Sequence, residues 1–492
     1  MATFNGRNWT VADMLPFKYV ENWDDFFDDV IAEMEARSTG VGSARDQAVA
    51  AAAAVTPAVP IVTSARDQAV AAANTAASIV KSADVTERAG MPPCLDWLFT
   101  SAAAVPSGVI TGTSGKWVRG QSGLWTFVPA GIAPIEYGMS GDARGIRVES
   151  AVPNPILYPS DFSNVAWTKS GSGTVTPDAK VAPDGTLTAD LLSDTDSGTD
   201  AAYWQQIFTI ANDTSTRCLS TFLAQGTAAA SEIRAFLVGG SVPLSAGVVA
   251  KVTWSGRAVT GSPGAVGDED ANGFLRLSVP ITNNGTGNTT LIVRVYPATN
   301  ATGVTGTAYA WHAQIDPGDT PSSIIPGATT GAVARSADVN VRPLSQVPGW
   351  NPSEGTIYGE SRTAASLPSS AQVLVQYDDG SFSNRLCVYR NTFGEIHCIA
   401  VVGGSNSVNL NLGVVANNTD IRVAFSWKAG SFAASLNGAA AVTAVTGALP
   451  AGLTTKRVGN ETGSYSAWAS TIRRDVLFPR ALPAASLPIL TA

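Results

Sequence analysis

Residues 151–340 are broken into short runs in which apolar and polar side chains alternate. Ala202-Tyr-Trp-Gln-Gln-Ile-Phe-Thr-Ile210, Ile233-Arg-Ala-Phe-Leu-Val238, Gly273-Phe-Leu-Arg-Leu-Ser-Val279 and Thr290-Leu-Ile-Val-Arg-Val-Tyr296 are the clearest. Turn residues separate them. In a strand, successive side chains point to opposite faces, so each such run buries one face and wets the other. Many of them at this density imply a β-sandwich. Residues 341–492 repeat the pattern. Val373–Tyr377 and Ser381–Arg390 flank Asp378-Asp-Gly380, a hairpin turn. Between 91 and 150, Lys116–Arg119 and Leu124–Val128 flank Gly120–Gly123 and read as a further hairpin.

The N-terminal part is built differently. Residues 22–37 place Trp23, Phe26, Phe27, Val30, Ile31 and Met34 on one helical face. Asn22 serves as N-cap, and Asp24, Asp25, Asp28 and Asp29 suit the positive helix N-terminus. So bulky a face on so short a segment needs a neighbour. Next, Ser43–Ala52 recurs unchanged as Ser64–Ala73, three heptads on. A 4-3 ladder of apolar positions runs through this repeat, with Val55, Val62 and Ile79 as its larger members. Pro57 and Pro60 interrupt it, so two short helices joined by Thr56–Thr63 are expected, a flexible Ala-rich linker being the alternative.

The whole chain is therefore expected to be mainly β, with two β-sandwich domains after an N-terminal helical, Ala-rich oligomerisation segment. The expected divisions are 1–37, an anchoring segment; 38–90, a helical stalk; 91–150, a β-rich connector; 151–340, the first sandwich; and 341–492, the second.

Charge and chemistry narrow the function. Only 14% of residues are charged and the net charge is -8; an acidic chain without a Lys/Arg cluster is a poor partner for nucleic acid. The longest apolar run, Ala48–Val62, contains Thr56, Pro57 and Pro60, so no membrane insertion is expected. The cysteines, at 94, 218, 387 and 398, form neither a disulfide scaffold nor a zinc spacing. His312 and His397 lie in strand-like runs without a second ligand at metal spacing. Neither a cofactor nor a metal is expected. Acidic clusters at Asp268–Asp270 and Asp378–Asp379 read as turns before they read as a catalytic pair, so an enzyme is not expected.

Two resemblances sharpen this. Asn154-Pro-Ile-Leu-Tyr-Pro-Ser-Asp-Phe-Ser-Asn-Val-Ala-Trp167 resembles the opening of a β-sandwich module of bacteriophage tail proteins, N-L-L-x-Y-S-x-D-F-x-x-x-x-W. Ala182–Leu192 resembles its second strand region, and Ala313–Pro326 followed by Ala334-Arg-Ser-Ala-Asp338 its closing strand and exit. Ile135–Glu149 is similar to a preceding Y-D-P-x-T-G-x-x-R-G-L-x-x-E stretch, from which Gly138 and Met139 depart. Thr419–Gly430, Ala433–Gly438, Leu453–Gly459 and Ile472–Leu482 resemble the last strands of laminin-G-like and concanavalin-like sandwiches. The first resemblance implies a carbohydrate-binding-module-like jelly roll in a phage tail fibre or other virion fibre. It also implies a homotrimer, attachment to other virion proteins through the N-terminus, and assembly in a host cytoplasm. Host-surface polysaccharide is the implied partner. A purely structural collar, whisker or decoration fibre and a polysaccharide-degrading tailspike are the rivals.

Sugar binding uses an aromatic face with amides and carboxylates around it. Loop aromatics are the candidates: Tyr465 and Trp468, with Asn460 nearby, and Tyr377 with Asp379. One register is also at stake. If Arg390 pairs with Glu395, Cys387 faces Cys398; a three-residue turn with a bulge at Gly394 slips the pairing by one and puts the two sulfurs on opposite faces. The first register is the expectation.

Overall fold

The computed structural model describes residues 2–4, 7–9, 85–101, 115–195, 201–325, 333–367, 370–464 and 466–492. The expected helix at 22–37, the repeat ladder, and with them Trp23, Phe26, Phe27, Val30, Met34, Val55, Val62 and Ile79, lie outside these residues.

The alternating runs form two antiparallel sandwiches. In the first, one sheet runs in the order Thr174–Val181, Leu187–Asp194, Gly306–Pro317, Thr216–Gln225, Phe274–Thr282, Val266–Glu269. The facing sheet runs Ala258–Gly261, Leu244–Thr253, Ala230–Val238, Thr290–Tyr296, Tyr203–Thr209, Thr168–Ser170. Trp204, Leu219, Leu223, Ile233 and Val293 fill the space between them. The second sandwich pairs the order Val341–Pro343, Thr455–Val458, Gln372–Asp378, Arg385–Arg390, Glu395–Val402, Ser405–Val414 with a larger sheet centred on Asp420–Lys428, Glu354–Arg362 and Ser470–Phe478.

Residues 91–150 do not stand apart from the sandwiches. Leu95–Leu98 pairs with Ser470–Phe478, as does Ala143–Val148, and Ile135–Tyr137 extends the same sheet. The Lys116–Arg119/Trp125–Val128 hairpin forms as the turn residues suggested. It leans on the first sandwich, with the Trp125 ring 6.1 Å from Phe222. This region thus completes one domain and clamps the other.

The residues that carry the tail-protein resemblance build this junction and the core beneath it. Asn154 Nδ2 donates to the Ala313 carbonyl, and its Oδ1 accepts from the Ile156 and Ile315 amides. Phe162 stacks on Trp167 at 4.5 Å, and Trp167 Nε1 donates to the Tyr158 carbonyl. Asp190 accepts the amides of Phe162 and Asp178. Glu149 sits at the centre of the junction. Its carboxylate accepts from Ser323 N and Oγ at 2.8 and 2.7 Å and lies within 3.3 Å of Arg147, Arg335 and Lys116. Burial pushes its pKa up, but Arg335, Arg147 and Lys116 outweigh that and hold it well below the usual carboxylate range.

His312 is the extra residue of a bulge between Thr216–Gln225 and Gly306–Pro317, at φ 46°. Burial first, and the Arg276 charge second, push its imidazole down to about 3. The linkage sign follows. The unfolded chain takes up the proton near pH 6.5 and the folded chain does not. This contribution to stability is complete above that pH and is lost as pH falls toward 3. At pH 5 the loss is on the order of 2 kcal/mol. Asp190, pushed up to about 6 by burial, works in the opposite sense. The test is therefore a difference: the stability of the wild type relative to His312→Gln should fall between pH 7 and pH 5. A difference independent of pH would contradict the burial of a neutral imidazole.

The cysteine register is the slipped one. Val388 pairs with Cys398, Cys387 with Ile399 and Arg390 with Ile396. Asn391 N donates to Glu395 O, and Gly394, at φ 84°, supplies the left-handed residue of the bulged turn. Cys398 consequently points into the core, while Cys387 lies on the other face with Val373, Ile399 and Val401. The expectation that the two sulfurs face each other is corrected by this turn.

Candidate functional site

The slipped register decides what the outer face of the second sandwich displays. Leu386, Val388, Ile396, Cys398, Ala400, Val408 and Leu410 point into the core, so their strand neighbours point out. Cross-strand pairing sorts these into rows. One runs Arg457, Gln376, Cys387, Ile399, Asn409; the next runs Val373, Tyr389, His397, Asn411.

The second row makes an aromatic platform with a polar rim. The Tyr389 and His397 rings stack at 5.2 Å and 14°. His397 Nδ1 lies 2.8 Å from Asn409 Oδ1. Asn391 Nδ2 donates to Glu395 Oε2 at 2.6 Å, and Asn411 Nδ2 donates to Oε1 at 2.9 Å. Hydrogen bonds from Asn411, Asn391 and His397 hold the Glu395 carboxyl below its ordinary value. Asn409 and Asn411 are exposed, and Tyr389 is half-buried. Its hydroxyl makes no hydrogen bond among the described residues.

At the other end of these strands two loops are tied together. The 379–384 loop is tied down where Gly404 N donates to Ser383 O and Gly403 N to Asn384 Oδ1. Phe382, partly exposed at the tip, carries the Arg385 guanidinium 5.1 Å from its ring. Behind them Val373, Cys387, Ile399 and Val401 form a buried apolar floor. Such a surface can stack the apolar face of a sugar ring on Tyr389. It can meet hydroxyl groups with amide donors and acceptors and a carboxylate acceptor.

The residues nominated from the sequence mostly sit elsewhere. Trp468 is fully buried, and its Nε1 donates to the Arg362 carbonyl at 2.8 Å. Tyr377 is fully buried too. It stacks on Trp350 at 4.9 Å, and its hydroxyl accepts from Lys456 Nζ at 2.8 Å. Asn460 is buried, with its Oδ1 accepting the Asn340 amide. These three are corrected from binding residues to core residues. Trp468 and Asn460 point inward although Gly and Ser flank them in the sequence. Asp379 folds its carboxylate back on its own turn, accepting from Ser381 N and Oγ and from Asn384 Nδ2. Tyr465 lies outside the described residues. The platform was missed because it is assembled from several strands. One signal was available: Val408-Asn-Leu-Asn-Leu412 sets asparagines, depleted in strands, along a single face.

No family model matches the sequence, and no curated protein sequence does. Solved structures give partial likenesses. A carbohydrate-binding module of the Ruminococcus gnavus IT-sialidase, bound to α2,3-sialyllactose, is 16% identical over 31% of this chain and 92% of its own, with a TM-score of 0.28. The NanB sialidase of Streptococcus pneumoniae is 13% identical over 30% of this chain, with a TM-score of 0.26. A leech intramolecular trans-sialidase is 17% identical over 31% of this chain, with a TM-score of 0.27. For each of these two enzymes the likeness spans 26% of its length.

Proposed function

We propose that this chain is a glycan-binding protein that works without turnover, its second sandwich presenting the Tyr389/His397 face to host-surface polysaccharide as part of a virion fibre. The observation that carries the reading is the platform itself: the half-buried Tyr389 ring stacked on the buried His397 and rimmed by Asn391, Glu395 and the exposed Asn409 and Asn411. Glu395, kept ionised by amide hydrogen bonds, suits a hydroxyl acceptor and not a proton donor to a leaving sugar. The fibre setting and a trimeric state rest on the tail-protein resemblance. Weak single sites on a trimer gain through avidity. A glycan array probed with the full chain tests the reading. Binding to a defined set of surface polysaccharides, with no release of reducing ends on incubation, is expected. An array blank across bacterial polysaccharides would favour a purely structural fibre, and released ends would show an enzyme.

A further inference from the structure

The junction holds a lysine and two carboxylates in an arrangement that does more than pair charges. Lys116 comes from the hairpin, Glu149 from the chain entering the first sandwich, and Asp338 from the chain leaving it. All three side chains are almost completely buried, at 3%, 5% and 8% exposure. Lys116 Nζ is in direct contact with Asp338 Oδ2 and lies 3.3 Å from Glu149 Oε2. The Glu149 amide donates to the same Asp338 oxygen at 2.7 Å. In return the Asp338 amide donates to the Glu149 carbonyl at 3.0 Å. Two chain segments far apart in sequence are thereby fixed against each other, with the amine in contact with both the Asp338 and the Glu149 carboxylates.

We propose that Lys116 and Asp338 condense into an intramolecular amide, with Glu149 as the proton carrier. The proton count of the cluster suffices. One ammonium proton passes to the Asp338 carboxylate, leaving an amine beside a carboxylic acid. The nitrogen lone pair forms a bond to Cγ, and the carbonyl pair moves onto an oxygen that faces the Glu149 amide. Glu149 takes the second proton from nitrogen and delivers it to the departing hydroxyl. The C–O bond breaks, one water leaves, and the amide keeps one N–H. Nothing is oxidised or reduced. Holding the reactants in a buried, water-poor site supplies the effective concentration that condensation needs. Arg147, Arg335 and Ser323 are positioning residues: they fix the Glu149 carboxylate beside the Lys116 nitrogen.

A second buried pair provides an internal contrast. Lys456 Nζ faces both Asp475 oxygens, at 3.0 and 2.7 Å, as a two-point ion pair. Its other hydrogen-bond partner is the Tyr377 hydroxyl, and no second carboxylate contacts the nitrogen among the described residues.

Intact mass spectrometry of the full chain, reduced and denatured, tests the proposal. The expected mass is that of the sequence less one water. Tryptic digestion should yield a branched peptide joining the segments that contain Lys116 and Asp338. Lys116→Arg keeps the positive charge and cannot form the bond, so it should show the full sequence mass and no branched peptide. Glu149→Gln should lose most of the cross-linked species. A wild-type chain at its full sequence mass would overturn the proposal whatever the variants do. A branch mapped to Lys456 and Asp475 would overturn the assigned site, and an unimpaired cross-link in Glu149→Gln the assigned role.

Discussion

Glu149→Ala is expected to lower the stability of the folded chain by about 3–5 kcal/mol, because it strips the counter-charge from buried cations. Arg335 and Lys116 are 2% and 3% exposed, and both lie 3.3 Å from Glu149 Oε2. The substitution also frees the Ser323 amide and hydroxyl that the carboxylate holds. Denaturant titration at pH 7 measures the loss. The pH dependence has a defined sign. A carboxyl depressed in the folded state contributes stability above its unfolded value, near 4.3, and loses it as pH falls further. The gap between wild type and variant should therefore be widest at neutral pH and close below about pH 4. Repeating the comparison in a Lys116→Arg background separates the charge effect from any cross-link. A loss under about 1 kcal/mol would mean that the junction tolerates unpaired cations, contrary to the cost of isolated buried charge.

Trp468→Ala is expected to cost a further class of stability, about 3–5 kcal/mol, through a cavity in the second core. The indole is fully buried, and its nitrogen closes a hydrogen bond to the Arg362 carbonyl. Truncation would leave that carbonyl without its partner and the core without its plug. Thermal melting reads the effect. Per folded molecule, glycan binding should be unchanged. Selective loss of binding with an unchanged melt would return Trp468 to the binding surface and contradict its place in the core.

The fold was legible where local pattern decides it. Alternating runs such as Thr290–Tyr296 and Phe274–Thr282 are strands, and the Lys116–Val128 hairpin closes where Gly and Ser signalled a turn. Long-range pairing was less accessible. Nothing local in Leu95–Leu98 or Ala143–Val148 says that they dock on Ser470–Phe478. The Cys387/Cys398 register turned on one glycine at φ 84°, and a one-residue slip reverses every outward side chain. That slip is why the proposed platform is hidden in the sequence: Tyr389, His397 and Asn411 share a row only in the observed register. Recognisable motif residues misled in the other direction. Asn154, Phe162 and Trp167 announce a module because they hold its end together, and they contribute nothing to the platform. Loop composition misleads too: a Gly/Ser-rich stretch reads as exposed, while its tryptophan packs inward.

The most direct test of the central claim is a calorimetric titration of the array's strongest glycan into wild type and Tyr389→Ala, with melting curves for both. Removing one stacking ring from a sugar site should cost about 1–3 kcal/mol, about fivefold or more in affinity. Tyr389 is half-buried on an outer face, so the melt should shift little. The account predicts weakened binding in a protein that is otherwise intact. Equal affinity in the two proteins would contradict it and take the glycan site off this sheet face.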